Sequence, residues 1–473
     1  MFIGRKKELE RLNERYNSGK FECVAIYGRR RVGKTELIKE FIKDKKAIFF
    51  TALEYEYEAN LAAFSTAVFE TLYDGKVEVS FKSLDDILKH IYLAAQKEHL
   101  ILVIDEYPYL AQSRKAISSV LQRDIDHKFK DTNIFIILCG SSMSFMENQV
   151  MGYKSPLYGR RTGQFKLLPF DYITSKGFYK NFNDEECAVI YGITGGIPKY
   201  LSLFEDSRSL EENIIKNYFT TDSMLFEEPS NLLKQELREP AVYNSIITAI
   251  ATGASRLNEI TTKINMESGA CCTYINSLID LGIIKRELPV LSKSNAKNSI
   301  YRLNDGMFRF WYRFVYRNLS RVQLDQGAEA YNRIKDQISA FMGETFEDIC
   351  KQYMHRENTK GNLPVQFQDI GRWWGANPLK KEQQEIDLLA VDEESNRAIF
   401  AECKWKNEPM PESVVDDLIE KAAMFKHYTQ KYYYLFSKSG FTTACKKRAD
   451  ESIKLINFKD MQQSGLKNQT LRF

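Results

Sequence analysis

The chain has 473 residues, too many for a single hydrophobic core and enough for two to four domains. Its 44% hydrophobic and 27% charged residues are the proportions of a globular protein, which excludes a disordered or fibrous chain. The net charge of +4 is small for this length, so it gives no argument for nucleic acid, and any basic surface has to be local. The first residues, MFIGRKKELERL, have no apolar core of the signal-peptide kind, and no apolar run approaches bilayer-spanning length. Eight cysteines stand singly apart from Cys271-Cys272, without CxxC spacing, so neither a zinc site nor a disulfide framework is indicated. The expectation is a reduced, cytoplasmic protein with no membrane partner.

Residues 1–170 alternate helical and strand patterns: a helix at 9–16, strand 23–27, helix 36–42, strand 47–51, helix 84–96, then strands at 100–104 and 134–139. That is the α/β rhythm of a parallel sheet with covering helices. Residues 171–235 are dominated by helical patterns, broken by Gly195-Gly196-Ile197-Pro198, a turn with proline opening a helix. Residues 236–315 read as three helices (242–251, 257–264, 269–281) and a strand pair (283–290, 299–303). Residues 316–473 read as a helix at 334–355, strands at 385–391 and 398–404, a helix at 413–425, a strand at 432–437 and a last helix and strand.

Gly28-Arg29-Arg30-Arg31-Val32-Gly33-Lys34-Thr35 matches GxxxxGK[ST] between a predicted strand and a predicted helix. Glycines let backbone N–H groups curl around phosphates, and the helix N-terminus adds favourable dipole charge. The expectation is ATP and Mg²⁺ here, held by residues 28–35 and Glu36. Lys34 reaches the β- and γ-phosphates and the Thr35 hydroxyl ligates Mg²⁺. The apolar run 100–104 ends in Asp105-Glu106. Acids at the carboxyl end of a buried strand lie where such folds bind ligands. Asp105 is the second Mg²⁺ ligand and Glu106 the general base for water.

These motifs resemble the archaeal-type ATPase family, relatives of the AAA+ and STAND NTPases. The resemblance starts at Phe2-Ile3-Gly4-Arg5 with Glu8-Leu9 and runs through the P-loop and the Asp105-Glu106 strand end. It continues through Cys139-Gly140-Ser141-Ser142, Ser155-Pro156-Leu157-Tyr158-Gly159-Arg160-Arg161 and Gly195-Gly196-Ile197-Pro198-Lys199-Tyr200-Leu201. It implies a P-loop NTPase core at 1–170 with a helical lid at 171–235. It also implies a sensor serine, Ser141 or Ser142, beside the γ-phosphate. Arg160 or Arg161 is then an arginine finger, which, acting in trans, would require a homo-oligomer.

Residues 236–315 look like a winged helix, with residues 269–281 as the recognition helix. That helix offers Thr273, Tyr274, Asn276 and Ser277 but no Arg or Lys, whereas Lys285, Arg286, Lys293 and Lys297 of the wing suit phosphates. DNA is the expected partner, and a protein-contact module or lid is the alternative.

In the last part, Asp387 lies on one predicted strand and Glu402-Cys403-Lys404 on the next. Alternation along a strand puts Glu402 and Lys404 on one face, with Asp387 beside them. Two acids can hold a metal while lysine orients water for phosphodiester attack. The arrangement resembles the PD-(D/E)xK nuclease fold. The helix carrying Gly343-Glu344-Thr345-Phe346-Glu347 resembles its first helix, and Glu347 rather than Glu344 is then the third metal-binding acid. Similar domains in archaeal-type ATPases carry a segment like Gly371-Arg372-Trp373-Trp374-Gly375 ahead of the motif. Trp373, Trp374 and Trp405 are either base-stacking platforms or core residues.

The whole chain therefore reads as an α/β P-loop ATPase with a helical lid, a winged helix and a restriction-endonuclease-like α/β domain. It would act on DNA, with Asp387, Glu402 and Lys404 as a candidate nuclease centre. The alternative is a STAND-like switch whose C-terminal domain only binds a partner.

Overall fold

The computed structural model describes residues 2–73, 80–292, 298–377 and 382–462. Contacts divide the chain into two compact units, Met1–Pro169 with Ile197–Lys199 and Phe170–Gly196 with Tyr200–Phe473. The helical segment expected at 171–235 thus falls in the second unit apart from Ile197–Lys199.

In the first unit β1 (Glu22–Tyr27), β2 (Ala47–Thr51), β3 (Ile101–Asp105), β4 (Phe135–Gly140) and β5 (Gly163–Lys166) form one sheet in the order β2-β3-β4-β1-β5. All its pairings are parallel. β1, β3 and β4 are buried along their whole length, as near-continuous apolar strands covered on both faces should be. One face packs through Leu12, Val24, Leu37, Phe41 and Ile137, the other through Phe50, Phe64, Ile87, Leu102 and Ile136. β5 and the helices Tyr57–Leu72, Tyr107–Ser113 and Ile117–His127 were not evident in the sequence pattern.

In the second unit helices Pro240–Ala251, Leu257–Ile264 and Ser268–Asp280 precede the antiparallel pair β6 (Ile284–Glu287) and β7 (Ile300–Leu303). The long helix Ile338–Lys360 follows, then β8 (Asp369–Asn377), β9 (Glu382–Asp392), β10 (Arg397–Lys404), β11 (Gln430–Ser437) and β12 (Ile453–Asn457). Their sheet order is β12-β11-β10-β9-β8. β8 is an addition to the expected strands. Gly371-Arg372-Trp373-Trp374-Gly375 is part of it, not a preceding loop, with an irregular register between Gly371 and Trp373.

β8 is an edge strand, and an open edge invites pairing. The segment after β6 covers it. Val290 N–H donates to the Arg372 carbonyl at 2.9 Å, and the Trp374 indole N–H donates to the Asn298 carbonyl at 3.2 Å. Val290 is buried in the same core as Ile386, Leu389 and Val415. The wing is therefore docked on the C-terminal sheet. Of the wing cations expected to meet phosphates, Lys285 is turned inward. Lys285 pairs with Glu287 at 2.7 Å and lies 4.0 Å from Asp348, while Arg286 is exposed. Lys293 and Lys297 lie outside the described residues. Trp405 is buried against Phe346 and Phe458, and Trp373 packs on Phe425, so both serve the core. Among the described residues no helix is long and apolar enough to cross a membrane.

The turn at Gly195-Gly196 is a close backbone crossing. Gly196 has φ +70°, its carbonyl accepts the Phe170 N–H at 2.8 Å, and a Cβ there would sit 2.2 Å from the Phe170 oxygen. Gly196→Ala should therefore destabilise by about 1–3 kcal/mol, read as a lower midpoint in urea unfolding. An unchanged midpoint would contradict the crossing.

Candidate nucleotide site and C-terminal acid site

β1 runs straight into the phosphate loop. Gly28 has φ +152°, and a Cβ on it would lie 2.3 Å from the Leu167 oxygen, so only glycine lets the loop leave the sheet beside β5. Gly33, φ +87°, caps the helix Lys34–Ile42, whose first-turn N–H groups make an anion seat. Val32 packs in the core, and Arg29, Arg30 and Arg31 line the loop, with Arg31 at φ +70°. Arg30 donates to the Tyr109 hydroxyl at 2.7 Å. Lys34 is 6% exposed, and its Nζ donates to the Gly28 and Arg29 carbonyls at 2.8 and 3.0 Å. Burial lowers its pKa, against the opposing charges of Glu106 and Asp105. Glu36 is exposed in the first turn, where its backbone and not its carboxylate suits a phosphate. Arg5 donates to the Val32 carbonyl at 3.0 Å and to Leu168, tying the N-terminal Phe2-Ile3-Gly4-Arg5 box to the loop. The Lys199 N–H reaches the Arg31 carbonyl at 3.5 Å.

The acids at the end of β3 meet this loop. Thr35 Oγ1 donates to Asp105 Oδ2 at 3.0 Å, so two hard oxygen donors lie side by side, as a Mg²⁺ seat requires. Glu106 sits at φ +50°, a left-handed conformation that costs a non-glycine residue energy and is held here by its surroundings. Its Oε2 accepts both the Ser141 N–H at 3.1 Å and the Ser141 hydroxyl at 2.9 Å. Ser141 is thus engaged with Glu106 rather than standing free as a phosphate sensor.

Neither proposed finger is free. Arg160 makes three contacts of 2.9–3.2 Å with Asp126, which together with Lys130 hold that carboxyl down at about 2. Arg161 donates to Gln164 at 2.7 Å and to the Met151 carbonyl at 3.3 Å. In this conformation both guanidiniums serve the chain's own packing.

In the second unit the β9–β10 hairpin brings Asp387 and Glu402 together. Ala401 pairs with Leu388, which leaves Asp387 and Glu402 as the next opposed positions. Asp387 Oδ2 accepts the Cys403 N–H at 2.8 Å. Lys404 pairs with Glu402 and lies 3.5 Å from Asp387, so its ammonium stands between the two acids. Lys421, from the helix Ser413–Ala423, lies 3.5 Å from Glu402 Oε2, which is buried without a hydrogen bond. Burial, then the charge of Asp387, raises the Glu402 pKa. Burial also opposes the Lys404 charge, but Asp387 and Glu402 outweigh it and raise that pKa.

Glu347 does not join them. Its carboxylate lies 3.5 Å from Arg372 Nε, and among the described residues no group of three or more His, Cys, Asp or Glu is close enough to hold a metal ion. The expected three-acid centre is corrected to two carboxylates around a lysine. These two, with a buried oxygen lacking a hydrogen-bond donor, fit a cation; Glu347 fits only after leaving Arg372. Glu344 is elsewhere again, paired with Arg309 at 2.9 Å and with Arg302. Lys421 and Asp126 gave no signal in the sequence, and Arg372 stood out only as part of the Gly371–Gly375 segment, because each acts through a partner on another element.

Residues 2–204 match a family described as an ATPase domain predominantly from Archaea. The chain is also 32% identical to an uncharacterized protein of Methanocaldococcus jannaschii, over 93% of this chain and 96% of that one. The chain belongs to the archaeal-type ATPase family. Residues 311–420 match a second family, described as archaeal and bacterial proteins of unknown function. An uncharacterized ATP-binding protein of the same organism is 23% identical over 54% of this chain and 95% of its own. A Walker-type ATPase of Pyrococcus abyssi superposes with a TM-score of 0.50 at 19% identity, covering 66% of this chain and 96% of that one. That likeness shows the P-loop fold.

Glu347 gives a test of the second unit's electrostatics. Burial, then Asp387, raises its pKa from 4.5 to about 8. A raised carboxyl pKa favours folding below the unfolded value and is a growing cost as pH climbs toward the folded value. In metal-free buffer the unfolding midpoint of this unit should fall between about pH 4.5 and 8. Glu347→Gln should remove that part of the fall; identical slopes in both proteins would contradict it.

Proposed function

We propose that this archaeal-type ATPase hydrolyses ATP with Mg²⁺ and couples the cycle to nucleic acid handled by its second unit. The observation that carries the hydrolytic reading is the contact of Thr35 with Asp105, next to Glu106 held by Ser141. A bound Mg²⁺ supplies charge stabilisation to the phosphates. The chain's own residues do the rest. The backbone of residues 28–35 grips the phosphates, and Lys34 exchanges two carbonyls for phosphate oxygens. Thr35 and Asp105 orient the cation. Glu106, released from Ser141, takes a proton from the attacking water. Lys34→Ala should abolish or greatly weaken ATP binding in a titration, whereas Glu106→Gln should bind ATP and hydrolyse it on the order of 10²–10⁴-fold more slowly. Binding by the Lys34 variant equal to the parent's would refute the phosphate-site assignment.

For the second unit the supporting observation is the Asp387–Lys404–Glu402 cluster. The reading is metal-dependent cleavage of a phosphodiester, with Asp387 and Glu402 holding the cation and Lys404 orienting water. Asp387→Ala and Lys404→Ala should abolish cleavage of DNA or RNA in Mg²⁺ or Mn²⁺ while ATP hydrolysis persists. Cleavage surviving both substitutions would refute it. A second reading, a nucleotide-driven switch whose C-terminal unit only binds a partner, is favoured by one observation. The helix Ser268–Asp280 exposes Thr273 and Asn276 but has no Lys or Arg, and the wing beside it is docked. ATP hydrolysis that DNA does not stimulate would favour that reading.

A further inference from the structure

The second unit holds a cavity of about 240 Å³ walled by the β6 hairpin, the long helix Ile338–Lys360 and β8. Its lining is about half charged and includes Lys285, Glu347, Asp348, Lys351 and Arg372. The cations there are not alike. Lys285 is paired with Glu287, and Arg372 with Glu347 and Glu385. Lys351 makes no hydrogen bond or ion pair with any described residue, although Asp348 and Asp369 line the same space. It stands one turn beyond Glu347 on the same helix, so the two side chains share a face. Its ammonium comes within 4.0 Å of where a Cβ on Gly371 would be, which places it against the bare backbone of β8. The same added Cβ would press the Val290 side chain at 3.0 Å, so glycine keeps this wall open.

We infer that this cavity is a phosphate subsite of the C-terminal unit, in which Lys351 contacts a backbone phosphate of a polynucleotide led past Glu347 toward Asp387. An ammonium without a carboxylate, half sheltered from water, gains most from an anion that arrives with the substrate. A polynucleotide is favoured over a free phosphate monoester by the setting. Leu388, next in the chain to Asp387, lines the cavity, and only one of its cations is unpaired, too few to hold a dianion alone. The inference rests on the reading that this unit acts on nucleic acid.

The test measures binding of fluorescein-labelled single- and double-stranded DNA and RNA to the full chain by anisotropy over a salt series. A Lys34→Ala background keeps the P-loop from contributing. Lys351→Ala should weaken binding alike for all sequences and lower the slope of log affinity against log salt by about one. Lys351→Arg should keep most of both, and circular dichroism should show both variants folded. Unchanged affinity and slope in Lys351→Ala would overturn the inference, as would a parent that binds none of these oligonucleotides. Adenosine monophosphate and inorganic phosphate are run as competitors. Lys351-dependent binding of either without oligonucleotide binding would also overturn it, in favour of a monoester site. The cleavage reading fails separately. Lys351-dependent binding with no cleavage under any metal would leave this subsite standing and remove the nuclease.

Discussion

A parallel sheet sends every strand's carboxyl end to one edge, and the nucleotide site depends on that constraint. β4 lies between β1 and β3, so the loop after β1 and the acids after β3 must meet across the end of β4. Gly140 at that end makes the meeting feasible. A Cβ there would lie 2.8 Å from both Pro108 and Met146, so a larger residue would push the helix that follows Glu106 off the strand. Next in the chain, Ser141 reaches Glu106 with both its amide and its hydroxyl. The strained backbone of Glu106 and the two donors from Ser141 have to be considered together. The serine fixes the carboxylate that the backbone conformation presents.

The second unit meets the opposite problem, a surplus of acids with too little room. Its solution is local pairing: Lys404 between Asp387 and Glu402, Arg372 against Glu347, Arg302 and Arg309 against Glu344. The pairing outweighs burial at Glu344, whose carboxyl is held down at about 2, but not at Glu347 or Glu402, which stay raised. The wing hairpin takes part in this neutralisation through Lys285 and Arg302, which turn inward while Arg286 stays exposed. The same docking closes the open edge of β8. One hairpin thus solves an edge-strand problem and a charge problem at once.

What the sequence revealed follows from where the partners sit. The phosphate loop was legible because its glycines, lysine and threonine are contiguous and flanked by a strand and a helix. The Asp387–Glu402–Lys404 grouping was legible because a tight hairpin fixes which side chains oppose each other. β5 escaped notice at four residues with one buried position, and β8 because its run of Gly, Arg and two adjacent Trp shows no clear apolar face. The inward pairing of Lys285 was not legible, because basic residues after a winged-helix pattern suggest phosphates. The acid that draws Lys285 inward, Asp348, lies far along the chain on another helix. Asp126, the partner of Arg160, was illegible for the same reason: only the fold supplies it. Glu347 was expected to join the other acids, but its partner Arg372 lies on another element, and the sequence does not show that pairing.

The central claim is that Thr35 and Asp105 form the cation seat of a working nucleotide site. The most direct measurement is ATP affinity by calorimetric titration with and without Mg²⁺, in the parent and in Asp105→Asn. The parent should bind ATP more tightly with Mg²⁺, and Asp105→Asn should lose most of that gain while still binding metal-free ATP through the loop. An equal Mg²⁺ dependence in the two proteins would contradict the account.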